Sequence, residues 1–305
     1  MSPVDWLWIP VTIWAAFAQT VRNAAQRHLT AELGTLGATL VRFLYGLPFA
    51  VAWLALVHEV TGSPLPRATA AFALWVLLGA VSQIAATALL LRTMQARNFA
   101  LGVAYSKTEV LQVALLGRVF LGDPLSVPAA LAVAAGTFGV LLLSPADKEK
   151  PLRALLTGWT SRTALLGLAC GALFALSAVG YRGAALSLPG TPFLVVAACT
   201  LATAQLAQTL LLGGWLLARA PGVARRVLRA WRLSLFAGFM GAAASAGWFT
   251  AFAIEPVAHV RTLGLIELIF SYAVARGLFR ERLSRLELEG MGLLALGVAL
   301  ISFAG

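Results

Sequence analysis

Apolar runs of about twenty residues recur along nearly the whole chain, separated by short connections rich in Pro, Gly and Arg. Coiled into a helix, such a run matches the hydrocarbon thickness of a bilayer. It is far longer than a transmembrane β-strand. In lipid the backbone must satisfy its own hydrogen bonds, so each run is expected to be helical. Only 11% of the 305 residues are charged, against roughly 25% in a soluble domain. A water-facing surface cannot be covered with so few.

The runs divide into ten expected spans: Trp6–Ala25, Thr35–Val57, Ala70–Leu91, Phe99–Leu121, Val127–Ser144, Thr163–Tyr181, Thr191–Ala218, Leu233–Ile254, Val257–Phe279 and Leu286–Ala304. Breakers sit between them, among them Gly62, Pro124, Pro151, Pro192, Pro221 and Pro256. The net charge of +11 does not argue for nucleic acid, because the basic residues lie in the connections, where they set membrane orientation. Cys170 and Cys199 lie inside apolar runs without metal-ligand spacing. The first residues carry Asp5 and no Lys or Arg, so the first run is expected to remain in the mature protein.

An internal repeat is visible. One offset of 158 residues pairs Glu109 with Glu267, Arg118 with Arg276, Asp123 with Glu281, Ser126 with Ser284 and Gly139 with Gly297. An offset of 157 pairs Phe17 with Phe174 and Thr20 with Ser177. The expected organisation is a five-helix repeat over 1–145, a connecting loop over 146–162 and a second repeat over 163–305. Five is odd, so the second copy enters the membrane inverted. Many secondary transporters share that arrangement, with the site between the halves. Most Lys and Arg fall after spans one, three, five, seven and nine, which places both termini outside.

The segment ALLGRVFLGDPLS, its counterpart ending in Phe279-Arg280-Glu281, and LVRFLYGLPF with Arg42 resemble the EamA-type drug/metabolite transporter superfamily. The turns at Leu121-Gly122-Asp123 and Phe279-Arg280-Glu281 are degenerate forms of that family's Leu-Gly-Glu turn. The resemblance implies an all-α integral membrane protein of ten transmembrane helices as two inverted five-helix repeats. It also implies a multi-pass carrier of a bacterial-type inner membrane, typically exporting amino acids, other metabolites or drugs.

Polar residues within the runs are the candidate site. Glu109 and Glu267, mates in the repeat, read either as a coupling pair or substrate-amine anchor, or as a structural ion pair, for instance Glu109 with Arg42 or Lys107. Tyr105, Glu109 and Gln112 share one helical face, and Lys107 lies nearly opposite. Gln19 and Asn23 are read as cavity-lining, and Arg22 and Arg27 as surface orientation charges. Gln83, Trp248 and Phe252 are further lining candidates. His259 could relay protons or serve a helix end. Carboxylates, amides and aromatics suit an amine or amino acid, whereas Arg42 and Lys107 would suit an anion.

The expectation is thus a secondary active transporter working by alternating access, with a small-molecule substrate, membrane lipids around it and no cofactor, metal or catalytic residue. No Gly-Lys dipeptide completes an ATP-binding loop. His58-Glu59 begins like a zinc-protease motif, but Gly62 stands at the second histidine position. The alternatives are a channel or non-transporting membrane partner, and an intramembrane hydrolase using Ser245. The chain could act as a monomer or homodimer.

Overall fold

The computed structural model describes residues 6–96 and 162–278, together with individual positions within 99–135 and 280–296. No strand occurs among the described residues. The helices are α1 (Trp8–Leu44), α2 (Leu47–Thr61), α3 (Ala70–Ala96), α4 (Arg162–Leu186), α5 (Phe193–Arg219), α6 (Pro221–Arg229), α7 (Trp231–Ile254), α8 (Val257–Leu263) and α9 (Glu267–Gly277). A 3-10 turn, Gly264–Ile266, joins the last two. Among the described residues, five helical stretches are long and apolar enough to cross a membrane: Trp8–Thr61, Ala70–Ala96, Leu165–Leu186, Phe193–Arg219 and Trp231–Ile254. The chain has the all-helical, apolar build of a membrane protein.

The first stretch has 54 residues, about 80 Å if straight, far more than a hydrocarbon core of about 30 Å. It does not run straight. Gly34 adopts φ 69° and ψ 175° inside α1, a left-handed backbone that glycine tolerates without a Cβ clash. The arms on either side fold back on each other, because Gln26 Nε2 donates to the Ala38 carbonyl at 2.7 Å. In a straight helix those residues would be about 18 Å apart. The first expected span therefore extends to Leu33, and its connection to the second is a single glycine.

The chain divides into two compact units. Unit 1 holds Met1–Ile84 and Leu176–Glu255, and unit 2 holds Ala85–Ala175 and Pro256–Gly305. In unit 1, α1 packs most extensively against α7, and α5 packs against α2 and α7. Val57 of α2 meets Val195 and Ala198 of α5 in a small apolar core. Gly79 of α3 and Gly180 of α4 cross so closely that a Cβ on Gly180 would lie 2.9 Å from the Gly79 nitrogen. Small residues at such crossings let helices approach to backbone contact.

Three further features differ from expectation. Span six runs on to Leu186, so Arg182 belongs to a helix rather than to a loop. Span nine is not one helix: it is α8, the 3-10 turn and α9. The connection between spans seven and eight is itself a helix, the nine-residue α6, started by Pro221. The expected connecting loop up to residue 161, and the repeat partners Arg118, Asp123, Glu281 and Ser284, lie outside the described residues.

Candidate functional site

Unit 1 carries a buried network of amides and a phenol. Tyr181 of α4 donates from Oη to Gln83 Oε1 of α3 at 3.0 Å. Gln208 of α5 donates from Nε2 to the same Gln83 oxygen at 2.7 Å and to Tyr181 Oη at 3.0 Å. Three helices are thereby tied at one point. Gly79 makes room for it: a Cβ there would fall 2.6 Å from the Tyr181 ring. Gln208 Oε1 and Gln205 Oε1, one turn apart, are buried acceptors without a hydrogen-bond donor among the described residues.

Two arginines are also buried in unit 1. Arg22 is 0% exposed and Arg42 is 2% exposed. Both stems pack on Gly241 of α7, where a Cβ would lie 3.2 Å from Arg22 Cδ and 3.3 Å from Arg42 Cγ. Arg22 Nη2 donates to Asn23 Oδ1 at 2.6 Å. The reading of Arg22 as a surface charge is therefore corrected. The helix continues well beyond it, so Arg22 sits inside the packing with Asn23 and Gln26, both buried.

On the same stripe of α7 as Gly241, Trp248 Nε1 donates to Gln19 Oε1 at 3.0 Å. The Trp248 ring stacks on Phe252 with centroids 6.1 Å apart, and Arg182 Nη1 donates to the Phe252 carbonyl. The opposite stripe, with Phe239, Ala243, Ala246 and Thr250, lines an apolar cavity of about 530 Å³ shared with Trp14 and Trp53. One helix thus separates a polar interior from an apolar cavity.

Unit 2 carries charges of both signs. Lys107 Nζ donates to Glu267 Oε2 and lies 3.7 Å from Glu109 Oε1. Arg261 Nη1 lies 3.6 Å from that same Glu109 oxygen. All four side chains are buried. The order Arg261, Glu109, Lys107, Glu267 alternates in sign. Lys107 lies in a turn, and its ammonium reaches Glu109. The expected opposition of these two residues assumed an unbroken helix and is corrected. Glu267 opens α9, where the helix N-terminus favours a negative charge. Glu109 Oε2 is buried with no hydrogen-bond donor among the described residues.

Of the ten expected site residues, Gln19, Asn23, Arg42, Gln83, Trp248 and Phe252 fall in unit 1, and Glu109, His259 and Glu267 in unit 2. Tyr105 lies outside the described residues. His259 is half-buried in the first turn of α8, its backbone nitrogen bonded to the Pro256 carbonyl. Glu109 meets Lys107 and Arg261, whereas Arg42 belongs to the other unit. Gln205, Gln208 and Tyr181 were missed. Two glutamines one turn apart inside an apolar run were the signal that could have found the first two. Gly62, at the would-be second histidine position, caps α2 with φ 61°.

No protein-family model matches the chain, and no curated protein matches it. Among solved structures, a crystal structure described only as that of a protein superposes with a TM-score of 0.68 at 15% identity. The match covers 99% of this chain and 98% of the other. At that identity the likeness is one of fold alone.

Proposed function

We propose that the protein is a secondary active transporter of a small solute. In this reading it has ten helices in two inverted five-helix repeats and works by alternating access in a bacterial-type inner membrane. The observation that carries it is the buried charge chain Arg261–Glu109–Lys107–Glu267, set beside the 3-10 turn that joins α8 to α9. Ionisable groups are costly inside a membrane protein and mark ion or substrate pathways.

Glu109 and Glu267 are the coupling candidates, and they differ. Glu267 is hydrogen-bonded to Lys107, while Glu109 meets its described partners through ion pairs at 3.6–3.7 Å. Glu109 is the carboxylate better placed to exchange a proton. The interior of unit 1, with Arg22, Arg42 and buried amides, supports a solute bearing a carboxylate or another anionic group over a simple amine. The 530 Å³ apolar cavity suits an apolar portion of such a solute.

The test is flux into proteoliposomes across a panel of labelled carboxylates, amino acids and amines, with and without a pH gradient. Saturable flux with counter-exchange is expected, which a channel would not give. Glu109→Gln should lower gradient-driven flux at least about tenfold, the loss of one general proton-transfer group being worth more than that in enzymes. Unchanged pH dependence in both Glu109→Gln and Glu267→Gln would remove the coupling role.

A further inference from the structure

From its surface chemistry, we propose that α6 and the start of α7 form a binding site for an anionic phospholipid headgroup. The expected chemistry of this segment was a polar connection, but the structure makes it a short helix lying between two long apolar ones. Its inner face is fixed. Ala224 and Val227 are buried. Val223 and Val227 lie against Gly37 of α1, where a Cβ would meet them at 3.0 and 3.4 Å. Tyr45, at the junction of α1 and α2, directs its hydroxyl at the Val227 and Leu228 carbonyls, at 3.0 and 3.3 Å. The outer face is therefore presented on a built support, not on a loose loop.

That outer face is cationic and partly apolar. Arg225, Arg226 and Arg229 are exposed on α6, and Arg232 is exposed just beyond it. Leu228 is 60% exposed and Trp231 52%, and the Arg232 guanidinium lies 5.5 Å over the Trp231 ring. The sequence holds no Asp or Glu between Glu149 and Glu255, so no acid within this stretch offsets the arginines. An amphipathic helix with arginines on one face and exposed Leu and Trp beside them lies in the membrane interface. There each arginine is drawn to acidic headgroups, and guanidinium forks bind phosphate bidentately. The apolar groups sit in the acyl boundary, which a free phosphate ion could not use. The occupant is the lipid.

The experiment uses the purified full chain in neutral detergent, titrated with phosphatidylglycerol, phosphatidylcholine or inorganic phosphate, with lipid retention read by native mass spectrometry and folding by thermal melt. Phosphatidylglycerol is expected to be retained and to raise the melting temperature above that seen with phosphatidylcholine. Arg225→Gln/Arg226→Gln/Arg229→Gln should weaken retention about tenfold or more with an unchanged melt in phosphatidylcholine. The corresponding triple Lys variant, which keeps the charge, should retain most of the response. Equal response of the wild-type chain to both lipids overturns the proposal. So does a Gln variant that still retains phosphatidylglycerol, a Lys variant that loses it as fully as the Gln variant, or inorganic phosphate that reproduces the lipid's effect.

Discussion

Unit 1 and unit 2 bury polar groups by opposite means. Unit 1 uses neutral amides and a phenol, Gln83, Tyr181 and Gln208, alongside the arginines Arg22 and Arg42. None of its described carboxylates is buried. Unit 2 instead sets two acids against two bases in one chain. The amide network costs little if one member is lost, because the remaining pair still bonds. The charge chain is different. A buried ion left without its counter-ion costs several kcal/mol, so every member depends on its neighbour.

The sharpest test of this contrast is Lys107→Met, which takes away the cation set between the two buried carboxylates Glu109 and Glu267. A loss of about 3–5 kcal/mol is expected, seen as a collapsed melting temperature or failure to accumulate. Adding Glu267→Gln should recover a large part of it. If Lys107→Met melts like the wild type, the charge chain is not holding unit 2 and the comparison fails. Gly79→Val comes next. Its side chain runs into the Tyr181 ring, and overpacking of about 1–3 kcal/mol is expected, measured by the same melt. If the amide network depends on that crossing, Tyr181→Phe in the Gly79→Val background should cost less than it does alone.

Gln208→Leu should cost about 1 kcal/mol, since Tyr181 still donates to Gln83. A cost as large as that of Lys107→Met would erase the distinction between the units. The smallest effect belongs to Trp248→Phe. It removes the indole donor to Gln19 and keeps the ring on Phe252, for an expected loss of about 0.6 kcal/mol. Tryptophan fluorescence and thermal melting would read it together.

The helical character was legible because lipid leaves apolar runs of this length no alternative. The bounds of α5 and α7 differ from expectation by one or two residues at most, since each is a simple apolar run, whereas α3 runs five residues further, to Ala96. The boundary of span six failed because Arg182 was taken to lie beyond its end, and Arg22, within the first expected span, was taken as a surface charge. Both lie inside helices, Arg22 donating to Asn23 and the part-buried Arg182 donating to the Phe252 carbonyl. Span nine failed differently. Nothing in its apolar pattern marks the 3-10 turn at Gly264–Ile266, whose tighter hydrogen bonding leaves the hydrophobic sequence unchanged.

The site was legible as a set of residue types. Intramembrane Glu109 and Glu267 stand out in any apolar run, as do Gln19, Asn23 and Gln83. Their partners were legible only in part, because pairing depends on which helices touch: Lys107 was one of two candidates for Glu109, and Arg261 was not named. Lys107 looked averted from Glu109 only while the helix was taken as regular. Tyr181, which accepts from Gln208, gains its place from a glycine on another helix.

By itself, then, the sequence determined that the chain is helical and apolar enough for a membrane, and which few residues bring polar chemistry into it. Composition and run length suffice for that, because the cost of exposing backbone to lipid is the same for every fold. Only the tertiary structure decided that the acids are matched by Lys107 and Arg261, that Arg22 and Arg42 converge on Gly241, and that residues 221–229 form a supported cationic helix. Each of those depends on at least one contact between residues far apart in the chain, which periodicity cannot register.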